Sequence, residues 1–221
     1  DLSRIRPEVQ AVLRRVNELG PRFAERAKGV DDDASFPVEN YRDLADEGFL
    51  GLTIPEEFGG QGFTMGEYAM VGAEIGKYCG ATALTFNMHN SSMAWSRFMF
   101  DMPNLTAEEK AEFAPLRARQ FTRAMKERAI FSQPISEGGQ NWTSKPNQTQ
   151  ARAFEGGWKI NGFKKFASLA GYCDYYTIVC TEVFEGMEPR HEDTMLFVVH
   201  KDNPGLQVKG DIALSARDTL R

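Results

Sequence analysis

The residues best placed to do chemistry lie between Ser132 and Ser168. The stretch opens Ser-Gln-Pro-Ile-Ser-Glu-Gly-Gly-Gln-Asn-Trp and closes Trp158-Lys-Ile-Asn-Gly-Phe-Lys-Lys-Phe-Ala-Ser168. Adjacent Gly138 and Gly139 can adopt positive φ and turn backbone N–H groups toward an anion such as a pyrophosphate. Ser136 and Ser168 supply short hydroxyls. The second half reads as a strand, an Asn161-Gly162 turn and a further strand from Phe163 to Ala167. Phe166 and Ser168, two residues apart, are therefore expected on one face. One aromatic wall with a few fixed donors suits a flat, hydrogen-bonding cofactor. Taken singly, each of these residues is ordinary in any sheet domain; only their joint spacing carries weight.

The elements that must position this stretch fall into two regimes. Up to about residue 127 the apolar spacing is helical. Pro7 opens a helix carrying Val9, Val12, Leu13, Val16, Leu19 and Phe23, expected to reach about Lys28 with a kink at Gly20-Pro21. A second helix is expected from about Pro37 to Glu47, stopped by Gly48. Thr64 with Glu67, and Thr106 with Glu109, form the Thr-x-x-Glu pattern of a capping box, opening helices to about Tyr78 and Lys126. Ala81 to Phe100 reads as a helix whose Met and Phe residues are core fillers. His89 lies within it, either as a hydrogen-bonded helix histidine or as a residue facing a substrate or cofactor. From Arg128 the pattern changes to short strands separated by Gly, Asn and Pro turns, which predicts a β-barrel or sandwich. Alternation from Tyr176 to Thr181 predicts a sheet buried mainly on one side, and Leu206 to Lys209 a last strand. The fold class is thus α+β: an all-α domain over 1–127 and a β domain over 128–221.

Composition narrows the function. Hydrophobic residues make up 42% of the 221, enough for a sizeable core. A net charge of -5 leaves no basic footprint for nucleic acid. No apolar run approaches the ~20 residues of a membrane span. Cys79, Cys173 and Cys180 show no metal or redox spacing and read as reduced, buried thiols of a cytoplasmic protein. His89, His191 and His200 form no ligand-spaced cluster, so no metal site is expected.

Three motifs resemble those of the acyl-CoA dehydrogenases. Ser136-Glu137-Gly138-Gly139 resembles the family's Thr-Glu-Pro-Gly, and Asn161-Gly162-Phe-Lys164-Lys165-Phe166-Ala167-Ser168 its Asn-Gly-x-Lys-x-Trp-Ile-Thr, at matching separation. Leu52-Thr-Ile-Pro55-Glu56-Glu57-Phe-Gly59-Gly60-Gln-Gly62, on residue chemistry a tight connector, resembles the family's Leu-x-x-Pro-Glu-Glu-x-Gly-Gly-x-Gly near the acyl end of the substrate pocket.

The resemblance implies an FAD site, with FMN as the alternative, formed by Gln133, Ile135, Ser136, Asn141, Trp142, Phe166, Ala167 and Ser168. Ile135 would donate its N–H and Ser136 its hydroxyl to the pyrimidine edge. Phe166 would pack on the ring where the family often has Trp, and Ser168 would hydrogen-bond near N5. Trp142 and His89 are the candidate substrate contacts. Glu137 is expected to be a hydrogen-bonded loop carboxylate, and Glu56 and Glu57 loop-fixing or exposed.

The implied reaction is α,β-dehydrogenation of an acyl-CoA, with electrons passed to an electron-transfer flavoprotein and an oligomeric full-length form. The alternatives are a flavin-dependent monooxygenase of the same fold and a non-catalytic partner subunit. The family's catalytic carboxylate belongs to a helical domain that this chain lacks, so no catalytic residue is assigned here. The chain is expected to be a truncated piece or a split subunit. Gly138 departs from the family's Pro, and Gln140-Asn141-Trp142 from its small phosphate-contacting residues.

Overall fold

The computed structural model describes residues 5–138 and 143–210. Within it the chain forms a helical unit up to Ala129 and a sheet unit spanning Ile130–Val208, against the expected boundary at Arg128.

The helical unit is built from α1 (Pro7–Asp32), α2 (Val38–Asp46), α3 (Met65–Gly76), α4 (Gly80–Phe100) and α5 (Ala107–Lys126). Helix α1 carries Pro21 within an unbroken span and runs past the expected end at Lys28. Its apolar stripe, Val9, Val12, Val16, Leu19 and Phe23, is buried. Gly20 is required there, because a Cβ would lie 2.3 Å from the Tyr78 ring. Both capping boxes form: Thr64 and Thr106 accept from the amides of Glu67 and Glu109, whose carboxylates reach back to the cap amides.

The connector between α2 and α3 folds back on itself, with Gln61 N–H donating to Gly51 O, Gly62 to Ile54 O and Phe63 to Leu52 O. Gly60 is tight against Ile54, where a Cβ would sit 2.2 Å from the carbonyl oxygen. Leu52 and Ile54 are buried beneath, while the Glu56 and Glu57 carboxylates are largely exposed. Glu57 accepts from Arg117 at 3.1 Å.

The sheet unit contains β1 (Phe131–Ser132), β2 (Gln150–Phe154), β3 (Gly157–Asn161), β4 (Tyr175–Glu182) and β5 (Thr194–His200). Strand β4 organises it. β5 pairs antiparallel along one edge of β4 from Tyr175 to Thr181. Both β1 and β2 run parallel to β4, at Tyr175–Tyr176 and Thr181–Glu182 respectively. They must therefore share its other edge end to end, and residues 133–149 connect them. β2 and β3 form the hairpin, turning at Glu155-Gly156 with Gly156 at φ 88.

Three expectations are corrected here. Among the described residues the strands form one open sheet, not a closed barrel or sandwich, because β3 pairs only with β2 and β5 only with β4. β4 is buried on both faces rather than mainly one: Tyr175, Thr177, Val179 and Thr181 are buried, and so are Tyr176 and Cys180 opposite them. Phe163 to Ala167 and Leu206 to Lys209 are not strands. Asn161 ends β3 and starts no second hairpin. Gly162 lies against Thr149, where a Cβ would meet Oγ1 at 2.4 Å, and the chain beyond it leaves the ladder.

Candidate functional site

The two motif stretches of the sheet unit run side by side. Several hydrogen bonds join them. Lys165 N–H donates to Ser136 O at 2.7 Å, Lys164 Nζ to Ile135 O at 3.2 Å, and Ser132 Oγ to Ser168 O at 2.6 Å. Ser132 is fully buried at the end of β1, so the last bond is a fixed link from the sheet to the second motif.

Beneath this seam lies a buried ion pair. Lys164 Nζ and Glu137 Oε1 are 2.6 Å apart, with their side chains 8% and 4% exposed. The carboxylate also accepts from the backbone amides of Gln148 (2.6 Å) and Thr149 (2.8 Å). Burial pushes the Glu137 carboxyl up, but the lysine and these amides outweigh it and hold the group below its ordinary range. Lys164 further reaches Asn147 Oδ1 at 3.4 Å, and Asn147 N–H donates to the buried Thr181 Oγ1 at 2.7 Å. Glu137 is thus the loop-fixing carboxylate expected from the sequence. Lys164 is its partner and the tie between both motifs. It was absent from the expected site residues, although its place in the Asn-Gly-x-Lys pattern was the available signal.

Above the seam the polar groups stay open. Among the described residues the Ser136 and Ser168 hydroxyls make no hydrogen bond, and Ser136 is exposed. The Phe166 ring is 69% exposed. Phe166 holds φ 54 and Leu169 φ 75, a left-handed conformation rare for bulky side chains. This corrects the strand alternation expected to align Phe166 with Ser168. The two neighbour each other through a turned segment, stabilised by Ser168 N–H to Phe166 O at 2.9 Å and Ala170 N–H to Ala167 O at 2.9 Å. Leu169 is buried, so its conformation serves packing, whereas the Phe166 ring is left in the open.

Ile135 and Ala167 are half-buried along the same seam, and Gln133 is 5% exposed. Gly138 takes the expected positive φ, 87. Gly139, Asn141 and Trp142 lie outside the described residues.

His89 is not part of this arrangement. It is fully buried within α4, with Nε2 2.9 Å from Leu50 O. A side chain without exposed surface cannot touch a substrate, so that expectation is corrected and the hydrogen-bonded helix histidine stands. The three cysteines are free and buried, and burial pushes Cys173 and Cys180 up to about 11, which leaves them as inert thiols. Among the described residues no group of His, Cys, Asp or Glu could hold a metal ion, and no helix is long and apolar enough to cross a membrane.

The described side of the seam presents an exposed aromatic ring and two hydroxyls without hydrogen bonds, on backbone fixed from behind by a buried ion pair. Comparison with known proteins gives this arrangement a lineage. The acyl-CoA dehydrogenase N-terminal domain profile matches residues 6–101, and the middle domain profile residues 135–219. The chain belongs to the acyl-CoA dehydrogenase superfamily, as its N-terminal helical and middle sheet domains in that order.

Among curated relatives, it is 26% identical over 191 residues to the benzylmalonyl-CoA dehydrogenase of Aromatoleum aromaticum, covering 86% of this chain and 46% of that protein. The chain spans about half the length of the curated relatives it matches. Among solved structures, FMN-bound TdsC from Paenibacillus sp. A11-2 matches with a TM-score of 0.74 at 22% identity, over 91% of this chain and 46% of TdsC. KijD3 in complex with FMN and an amino-sugar nucleotide matches with a TM-score of 0.75 at 22% identity, over the same shares. These likenesses establish the fold.

They also correct the expected FAD, since the flavin in both of these structures is FMN. The sequence could not separate the two. The contacts that the resemblance implies are to the ring and the nearest phosphate, which FMN and FAD share, and none is to an adenine.

Proposed function

We propose that the intact protein is a flavin-dependent oxidoreductase that uses FMN, and within that class a monooxygenase rather than a dehydrogenase. The observation that carries the flavin reading is the contrast across the motif seam. The Glu137 carboxylate and the Lys164 ammonium on its inner side are paired, while Ser136 and the Phe166 ring are exposed and the Ser136 and Ser168 hydroxyls make no hydrogen bond among the described residues. In this reading Ser136 and the Ile135 N–H fix the polar edge of the ring, Phe166 covers one face, and Ser168 donates beside the reacting nitrogen. The flavin, when bound and reduced, supplies the electrons that activate oxygen. The chain's part is to orient the ring and shield one of its faces.

The FMN of TdsC and KijD3, together with the likeness to TdsC as a dibenzothiophene monooxygenase and to the HsaA monooxygenase, favours oxygen chemistry. The curated names favour the second reading, dehydrogenation of an acyl-CoA: benzylmalonyl-CoA and cyclohex-1-ene-1-carbonyl-CoA dehydrogenases are among them. Fold alone does not choose between these, because one scaffold hosts several chemistries.

The deciding experiment uses the intact protein. Oxygen consumption dependent on FMNH2 and an organic acceptor, with no anaerobic bleaching by acyl-CoA thioesters, is the expected result. Anaerobic bleaching of a bound flavin by an acyl-CoA would overturn the monooxygenase reading in favour of the dehydrogenase.

A further inference from the structure

Lys164 and Lys165 are neighbours in sequence with opposite fates. Lys164 points inward and is consumed by Glu137. Lys165 is exposed, and among the described residues it makes no ion pair. Its backbone is pinned beside the first motif by the bond to Ser136 O. Its side chain lies along Gly138. A Cβ built on that glycine would meet Lys165 Nζ at 3.0 Å, Cε at 3.4 Å and Cδ at 3.6 Å. The two residues are in contact: a side chain at 138 would press on the lysine stem, and the positive φ of Gly138 excludes a proline there. The departure of this chain from the Thr-Glu-Pro-Gly pattern therefore does more than loosen a turn. It lets an unpaired ammonium group reach the loop that carries Ser136.

An ammonium with no carboxylate within 4 Å among the described residues, laid along a glycine at φ 87, is a site for a compact anion. The carboxylate next to Gly138 in the chain, Glu137, is already paired with Lys164.

We infer that Lys165, laid over Gly138, is the cation that binds the terminal phosphate of FMN and makes this site prefer FMN over flavins without a terminal phosphate. The inference rests on the flavin reading above and deepens it. A terminal phosphate monoester carries more than one negative charge at neutral pH, so it gains most from a positioned ammonium. Gly138 supplies the room.

The test is equilibrium binding, read by quenching of flavin fluorescence with the intact protein, for FMN and for riboflavin, which shares the ring and lacks the phosphate. Lys165→Met should weaken FMN binding by about tenfold or more. It should leave riboflavin affinity unchanged, and Lys165→Arg should restore most of the FMN affinity. Unchanged FMN affinity in Lys165→Met would overturn the inference while leaving the flavin site standing. Equal loss for both flavins would overturn it too, since Lys165 would then act on the fold and not on the phosphate. If the wild-type protein binds neither flavin, the flavin reading fails, and this inference with it. Circular dichroism and thermal melting of each variant check that the exposed substitution leaves the sheet intact.

Discussion

The inner and outer sides of the motif seam use the same kinds of residue for opposite ends. Inside, Glu137 and Lys164 pair with each other, Glu137 also accepts from the amides of Gln148 and Thr149 and Lys164 also donates to Asn147 Oδ1, and both charged side chains are almost fully buried. Outside, Ser136, Lys165, Phe166 and Ser168 are held in place and left unsatisfied. A polar residue within a motif is thus not a ligand residue by type. It becomes one when the fold spends none of its bonding capacity. Glu137 is the most chemically tempting group in the stretch, and it is scaffolding. The same contrast holds in the helical unit, where His89 and the capping boxes are closed on themselves.

The sharpest way to break this comparison is Lys164→Met. Removing one partner of a buried pair leaves Glu137 uncompensated and should cost about 3–5 kcal/mol, read by urea denaturation of the intact protein. A loss below about 1 kcal/mol would mean that the inner cluster is not what holds the seam. The pH dependence gives a second readout. The Glu137 carboxyl is held below its ordinary range, so its stabilisation is complete above about pH 4.3 and is lost as pH falls through the lowered folded value. Without Lys164 burial dominates, the folded value rises, and the remaining protein should instead gain stability as pH falls toward the ordinary glutamate range.

The outer side should answer differently. Phe166→Ala removes a ring that is mostly exposed, so stability should change by less than about 0.5 kcal/mol, while flavin affinity falls about tenfold. Equal flavin titrations for mutant and wild type would remove Phe166 from the site.

A smaller effect belongs to the closed groups of the helical unit. Glu67, hydrogen-bonded by Arg6 and by Thr64, is held down at about 2. Its contribution is present above about pH 4.3 and lost as pH falls toward about 2. Thr64→Ala should cost about 1 kcal/mol in thermal or urea unfolding, with flavin affinity unaffected. A change in flavin binding there would blur the division between closed and open groups. Smallest of all, Ser168→Ala should weaken flavin binding a few-fold and shift the absorption spectrum of the bound flavin. An unaltered spectrum and affinity would remove Ser168 from the ring's environment.

Several features were readable directly from the chain, because their causes are local. Thr-x-x-Glu pairs placed the starts of α3 and α5, since a capping box needs only residues within one turn. The periodic stripe of α1 gave its buried face, although the continuation past Lys28 and through Pro21 depended on packing. The spacing of the two sheet-unit motifs gave the superfamily, because motif spacing is a property of sequence.

What only the tertiary structure decided is non-local. Phe166 and Ser168 were expected on one face by strand alternation, yet they are placed by a turned segment with positive φ, held by bonds to residues some thirty positions earlier. The fate of Lys164 against Lys165, and of His89 against Ser168, turns on which long-range partner each one meets. Sequence names the groups that can bond. Whether the fold has already used those bonds is a question of burial and distance, which adjacency along the chain does not encode.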